Sequence, residues 1–129
     1  MDGGFDIPTQ ASEEDQYLCN KVKDEVESRL KRKFNMFKAI SSRIQIVAGS
    51  NHMIKVQVDK SGECIHLGIF RGLPDIPDEV MKAFKAEYPG LGLNDEEYFT
   101  KIEELSKEYE EVVLQDVETG KKLNSYLKI

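Results

Sequence analysis

Cysteine and histidine are scarce in this sequence, at two residues each. His52, His66, Cys19 and Cys64 stand in no ligand spacing, so a zinc site is not expected. No motif gathers a nucleophile, a base and an orienting group, so catalysis is not expected either. The two thiols are far apart and lie in regular-structure patterns, which reads as two buried free cysteines. There is no long basic run, and the net charge is −6, so nucleic acid is a poor partner. No apolar run approaches the roughly 20 residues of a spanning helix, so no membrane partner is expected. The opening "MDGGFDIPTQ" has no charged-then-apolar layout, which points to a cytoplasmic protein. "PGLGLN" lacks the strand and basic residue of a phosphate loop, and "NDEE" lacks the alternating ligands of a calcium loop. No cofactor or metal is expected.

What is present is globular. A chain of 129 residues, 40% hydrophobic and 33% charged, suits a single domain spanning 1–129. Residues 1–11 read as a flexible arm. Ser12 is a helix N-cap, followed by the acidic first turn Glu13, Glu14, Asp15. Leu18, Val22, Val26 and Leu30 draw one apolar stripe, and Lys31, Arg32 and Lys33 suit the C-terminal end. "FNMFKAISSRIQIVA" reads as one long strand with a bulge, because its alternation is imperfect. "HMIKVQV" and "CIHLGIF" alternate more strictly, with Ile54, Val56, Val58, Ile65, Leu67 and Ile69 facing inward. Gly62 in the intervening "DKSGE" is placed for positive φ. Short links make these strands an antiparallel meander.

Two helices follow. "DEVMKAFKAEY" carries Val80, Met81 and Phe84, and a second helix runs from about Asp95 to Glu110. Asn94 and Glu97 form a capping box there, and Leu93 and Tyr98 a hydrophobic staple. The stripe Tyr98, Ile102, Leu105 and Tyr109 reads as core, the alternative being a groove for a partner. "VVLQDVE", a turn at "TGKK" and "LNSYLKI" close the chain as one or two strands. The fold class is α+β: one long helix packed across an antiparallel sheet, with a helical insertion at 75–111 before the last long strand.

Three stretches share a neutral, glycine- or proline-marked character where polar groups are usual at turns. They are Gly3-Gly4-Phe5, the tip from Ile46 to Ser50, and Gly72-Leu73-Pro74. In a meander the second and third lie at the same end of the sheet, away from the Asp59 turn. Each alone is an ordinary loop. Together they resemble the cystatins, and specifically the stefin branch. Gln45-Ile46-Val47-Ala48-Gly49 fits the cystatin hairpin Gln-x-Val-x-Gly, and "NKVKDEVESRLKRKFNMFKAI" and "IHLGIFRGLP" resemble the stefin flanks. Gly4, beside Gly3, matches the N-terminal glycine, and Leu73-Pro74 the second hairpin. Other cystatins often carry Pro-Trp at that second site, and this chain has no tryptophan.

The resemblance covers about residues 1–76 densely and the tail from Val112 loosely. It implies reversible, tight inhibition of papain-like cysteine proteases such as cathepsins. The implied wedge consists of Gly3, Gly4, Phe5, Gln45, Ile46, Val47, Ala48, Gly49, Leu73 and Pro74. It would fill a cleft that holds a reactive thiolate and a histidine. A charged tip would lose its water there at a cost of a few kcal/mol. In stefins a short turn links the Leu-Pro site to the last long strand, whereas here 37 residues intervene, Asp75 to Glu111. The alternative function is therefore a non-inhibitory interaction module that uses the inserted helices. The expected state is a monomer, with a domain-swapped dimer as the alternative.

Overall fold

The computed structural model describes residues 8–89 and 96–127. The chain divides into two compact units, Leu73–Glu111 and the remainder. The second unit begins at Leu73, two residues before the 75–111 segment, and ends with it at Glu111.

The larger unit is a five-stranded antiparallel meander, in the order β1-β2-β3-β4-β5, with one long helix across it. Its strands are β1 Thr9–Gln10, β2 Lys38–Val47, β3 Gly49–Gln57, β4 Glu63–Arg71 and β5 Val112–Lys122, and α1 Glu13–Leu30 joins β1 to β2. The part of the expected arm nearest the helix is thus a strand: Thr9 pairs with Ser42 and Gln10 with Ser41. The α1 start is closed by a capping box. Asp15 N–H donates to Ser12 Oγ at 3.2 Å, and Ser12 N–H donates to Asp15 Oδ2 at 2.8 Å. The same Asp15 oxygen accepts from Ser42 Oγ at 2.9 Å, so the cap also ties the helix start to β2.

The inner face of α1 buries Leu18, Cys19, Val22 and Val26 against Ile54, Val56, Ile65, Leu67, Ile69 and Leu114 of the sheet. Fully burying one such aliphatic side chain is worth about 1.5–3 kcal/mol, so this layer is the main stabilising contact. Phe34 and Phe37 extend it, with ring centroids 5.6 Å apart.

Those two residues were expected in a strand, but β2 begins only at Lys38. The reason lies in where the backbone finds partners. Phe34 N–H donates to Glu27 Oε2 at 2.8 Å. Gln16 accepts from Ala39 N–H through Oε1 and donates to Phe37 O through Nε2, both at 2.8 Å. Helix side chains satisfy this segment, so it needs no neighbouring strand. The expected bulge is present, as a register shift between Ala39 and Ser41. Ile40, the extra residue, accepts from Ala11 N–H at 3.0 Å.

A second difference concerns "TGKK", which is not a hairpin turn. Lys121 pairs with Cys64 and Lys122 with Glu63, so β5 continues through it. The left-handed φ of 71° at Gly120 absorbs an extra residue as a bulge. "LNSYLKI" adds no strand among its described residues, 123–127. They turn back over the outer face of the sheet instead. Lys55 Nζ donates to Leu123 O at 2.6 Å, and Arg43 Nη1 to Leu127 O at 3.0 Å. His66 is fully buried on that face and neither ring nitrogen has a hydrogen-bond partner. Burial, then Lys55 and Lys121, push its pKa down to about 4.

The smaller unit contains α2 Asp78–Glu87 and α3 Glu96–Tyr109. Its core is aromatic: the Phe84 ring lies 5.0 Å from that of Tyr88 and 5.5 Å from that of Tyr98. The Asp75 N–H donates to Tyr109 O at 3.3 Å and closes its base. The capping box and staple at Leu93 and Asn94 lie outside the described residues.

Candidate functional site

The β2–β3 turn is as short as a hairpin allows. Val47 pairs with Gly49, Ile46 with Ser50 and Gln45 with Asn51, leaving Ala48 alone at the apex. Ser50, expected at the tip, is therefore already part of β3. Gly49 has φ 104°, a region that costs an L-residue about 1–2 kcal/mol. Space adds a second requirement. A Cβ there would stand 2.5 Å from Arg71 O and 3.2 Å from Gly72 Cα. Glycine is thus demanded from within, by the neighbouring strand.

At this turn the usual surface rule is inverted. Ile46 is 72% exposed and Val47 44% exposed. Their neighbours are held in place. Asn51 Nδ2 donates to Gln45 Oε1 at 2.9 Å across the pair. Ser50 Oγ lies 2.7 Å from His52 Nε2, and His52 is buried under the hairpin with Asp15 3.9 Å from its Nδ1. Burial lowers the His52 pKa, against the opposing pull of Asp15, so the neutral ring is favoured.

The end of β4 is fixed to the same region. Arg71 pairs in the sheet with both Ser50 and Val112. Its guanidinium bonds Glu14 at 2.8 Å and lies 5.7 Å from the Tyr17 ring centroid. The segment after β4 consequently leaves the sheet at the end where the β2–β3 turn lies. The Asp59 turn occupies the opposite end, where β3 meets β4.

Five of the ten expected site residues, Gln45, Ile46, Val47, Ala48 and Gly49, are gathered on this one turn. Leu73 and Pro74 open the second unit, both exposed, with Leu73 at 69%. Gly3, Gly4 and Phe5 lie outside the described residues. The close approach of Arg71 and Gly72 to Gly49 was not visible in the sequence. Nor was the link from Arg71 to Glu14, which spans 57 positions.

Neither cysteine is an activated thiol. Cys19 is buried in the core, and burial followed by the nearby Asp15 pushes its thiol up to about 12. Cys64 is also free, buried and raised in pKa, chiefly by burial. Among the described residues no three His, Cys, Asp or Glu side chains gather as metal ligands would.

A family model described as the cystatin domain matches residues 3–83. The chain is 42% identical over 72 residues to "Stefin-C" of Bos taurus, covering 56% of this chain and 70% of that protein. It is 47% identical over 74 residues to "Cystatin-B" of Mus musculus, covering 57% and 74%. It is 38% identical over 76 residues to "Leukocyte cysteine proteinase inhibitor 1" of Sus scrofa, covering 59% and 73%.

Proposed function

Because the chain belongs to the cystatin family, we propose that it is a reversible, tight-binding inhibitor of papain-like cysteine proteases such as cathepsins. The name of the porcine relative supports inhibition, not catalysis, as the role. The observation that carries the proposal is the apolar, internally locked turn at Gln45–Gly49.

Ile46 and Val47 are already out of the core, so docking them into a cleft removes apolar surface from water without unfolding anything. Each is worth about 1–3 kcal/mol if fully covered. Ala48 and Gly49 bring backbone close to the cleft wall with little side chain to accommodate. Arg71 O and Gly72 Cα stand where a side chain at position 49 would project, and the turn is held in the β2–β3 ladder, so a preformed shape would lose little conformational entropy on docking. Gly3, Gly4 and Phe5 would run along the substrate-binding side of the cleft, and Leu73-Pro74 would flank its other side. This reading includes a cytoplasmic, monomeric protein. No helix among the described residues is long and apolar enough to cross a membrane.

The direct experiment is a titration of papain with the purified chain, following hydrolysis of a small fluorogenic peptide. Loss of activity at equimolar inhibitor, recovered on dilution or displacement, is expected. Full activity at a large excess of folded chain would leave the alternative, a non-inhibitory module. The feature that favours the alternative is the second unit, which is compact and folded rather than a simple loop.

A further inference from the structure

The second unit differs from the first in charge. Leu73 to Glu111 contains twelve carboxylate residues and four lysines, a net −8, whereas the whole chain is −6. The rest of the chain is therefore at +2. Between α2 and α3 this acidic unit has an open groove of about 250 Å³. Phe84, Tyr88 and Leu105 supply its apolar side, and Glu87, Glu104 and Glu108 its rim.

We propose that this groove binds the arginine or lysine side chains of a basic segment of a partner protein. The site is separate from the β2–β3 turn and does not depend on protease inhibition. Two features select such an occupant. The Phe84 and Tyr88 rings, 5.0 Å apart and tilted by 35°, both line the groove, and Tyr88 is the less buried of the two. A guanidinium or ammonium within about 6 Å of a ring centroid is attracted to the ring face, and an aliphatic stem packs on the same surface. The carboxylates of Glu87 and Glu108 line the groove, and no hydrogen bond or ion pair within the described residues engages them. They stand ready for donors from outside. A hydrated divalent ion would gain from the carboxylates but not from the rings. A neutral apolar ligand would gain from the rings but not from the carboxylates.

Lys101 also lines the groove, but its Nζ lies 3.7 Å from Glu104 Oε2 on its own helix, and both side chains are well exposed. A pair of that kind is weak and exchanges readily. An incoming arginine offers a planar fork of donors that Lys101 lacks, so it can displace the lysine from Glu104. Phe99, 46% exposed on α3, gives the partner further apolar surface within the same unit.

The test uses the isotope-labelled full chain at low salt and a Gly-Ser-Arg repeat peptide as probe. Its counterpart carries citrulline, which keeps the shape of arginine without the charge. The arginine peptide is expected to shift the amide signals of Phe84, Tyr88 and Leu105, and the citrulline peptide to leave them unmoved. Glu104→Gln with Glu108→Gln should weaken binding roughly three- to tenfold. Glu79→Gln with Glu97→Gln removes the same charge outside the groove and should weaken it less. Retained Phe84 to Tyr98 ring contacts show that each variant keeps its fold. Equal shifts with both peptides would overturn the proposal. So would shifts spread over every acidic residue, equal effects of the two double variants, or no shift at all.

Discussion

A Cβ placed on Gly49 would meet the carbonyl oxygen of Arg71 at 2.5 Å. This relation joins the first residue of β3 to the last residue of β4, and it makes the turn's shape a property of the sheet. It also separates two roles within the motif, because Gly49 shapes the turn while Ile46 and Val47 are the exposed residues to which the proposed function gives the protease contact.

Gly49→Ala should therefore be a stability variant as well as a binding variant. Positive φ costs about 1–2 kcal/mol and the clash adds to it, so a loss of about 2–4 kcal/mol is expected. Gly120 is the control: its φ is 71°, and a Cβ there meets nothing within 4 Å. Gly120→Ala should show only the backbone part. Thermal unfolding of both variants measures the difference, and equal losses would remove the role given to Arg71.

Removing residues 1–5 leaves β1, which starts at Thr9, intact. The melting temperature should be unchanged, while the complex with papain should dissociate faster, since lost anchoring contacts appear mainly in the off-rate. Stopped-flow displacement checks this. An unchanged off-rate would take Gly3, Gly4 and Phe5 out of the site.

Acid should weaken the fold through His66. Its pKa falls from the ordinary 6.5 to about 4 on folding, so the unfolded chain takes up the proton first. Stability is full above pH 6.5 and declines as pH drops toward 4, by an amount of order 3 kcal/mol. His52, lowered in the same direction, adds to the slope. His66→Gln should flatten the dependence of unfolding free energy on pH in that window. A slope identical to that of the parent chain would mean that other groups carry it.

Replacing residues 75–111 by a short turn should preserve the main fold. Arg71 and Val112 are already partners in the sheet, and closure of a short loop there is not demanding. Papain inhibition is expected to persist, with melting temperature close to that of the parent. Loss of inhibition from a folded deletion variant would assign the binding role to the second unit.

Helix α1 was legible because its cap, stripe and basic end all agree, from Ser12 through Leu18, Val22 and Val26 to Lys31. The alternation of Ile54, Val56, Ile65, Leu67 and Ile69 likewise announced the sheet's inner face. Phe34 to Phe37 misled because apolar and aromatic residues suit a strand, yet Glu27 and Gln16 take the backbone bonds a strand would offer. Gly120 looked like a turn, and only pairing with β4 reveals a bulge. Within the site, the exposed tip was legible from its missing polarity. The supports at Arg71 and His52 were not, since they depend on which strand ends lie beside the start of α1.

If Ile46 and Val47 enter a protease cleft, Val47→Asp should weaken papain binding without unfolding the chain. Val47 is exposed, so the aspartate is solvated in the free protein and the melting temperature should hold. In the complex the carboxylate would be stripped of water without a partner, which costs a few kcal/mol, or at least a hundredfold in affinity. A papain titration with the folded variant should show that loss. Unchanged affinity in a chain with an unchanged melting temperature would mean that the turn is not what fills the cleft.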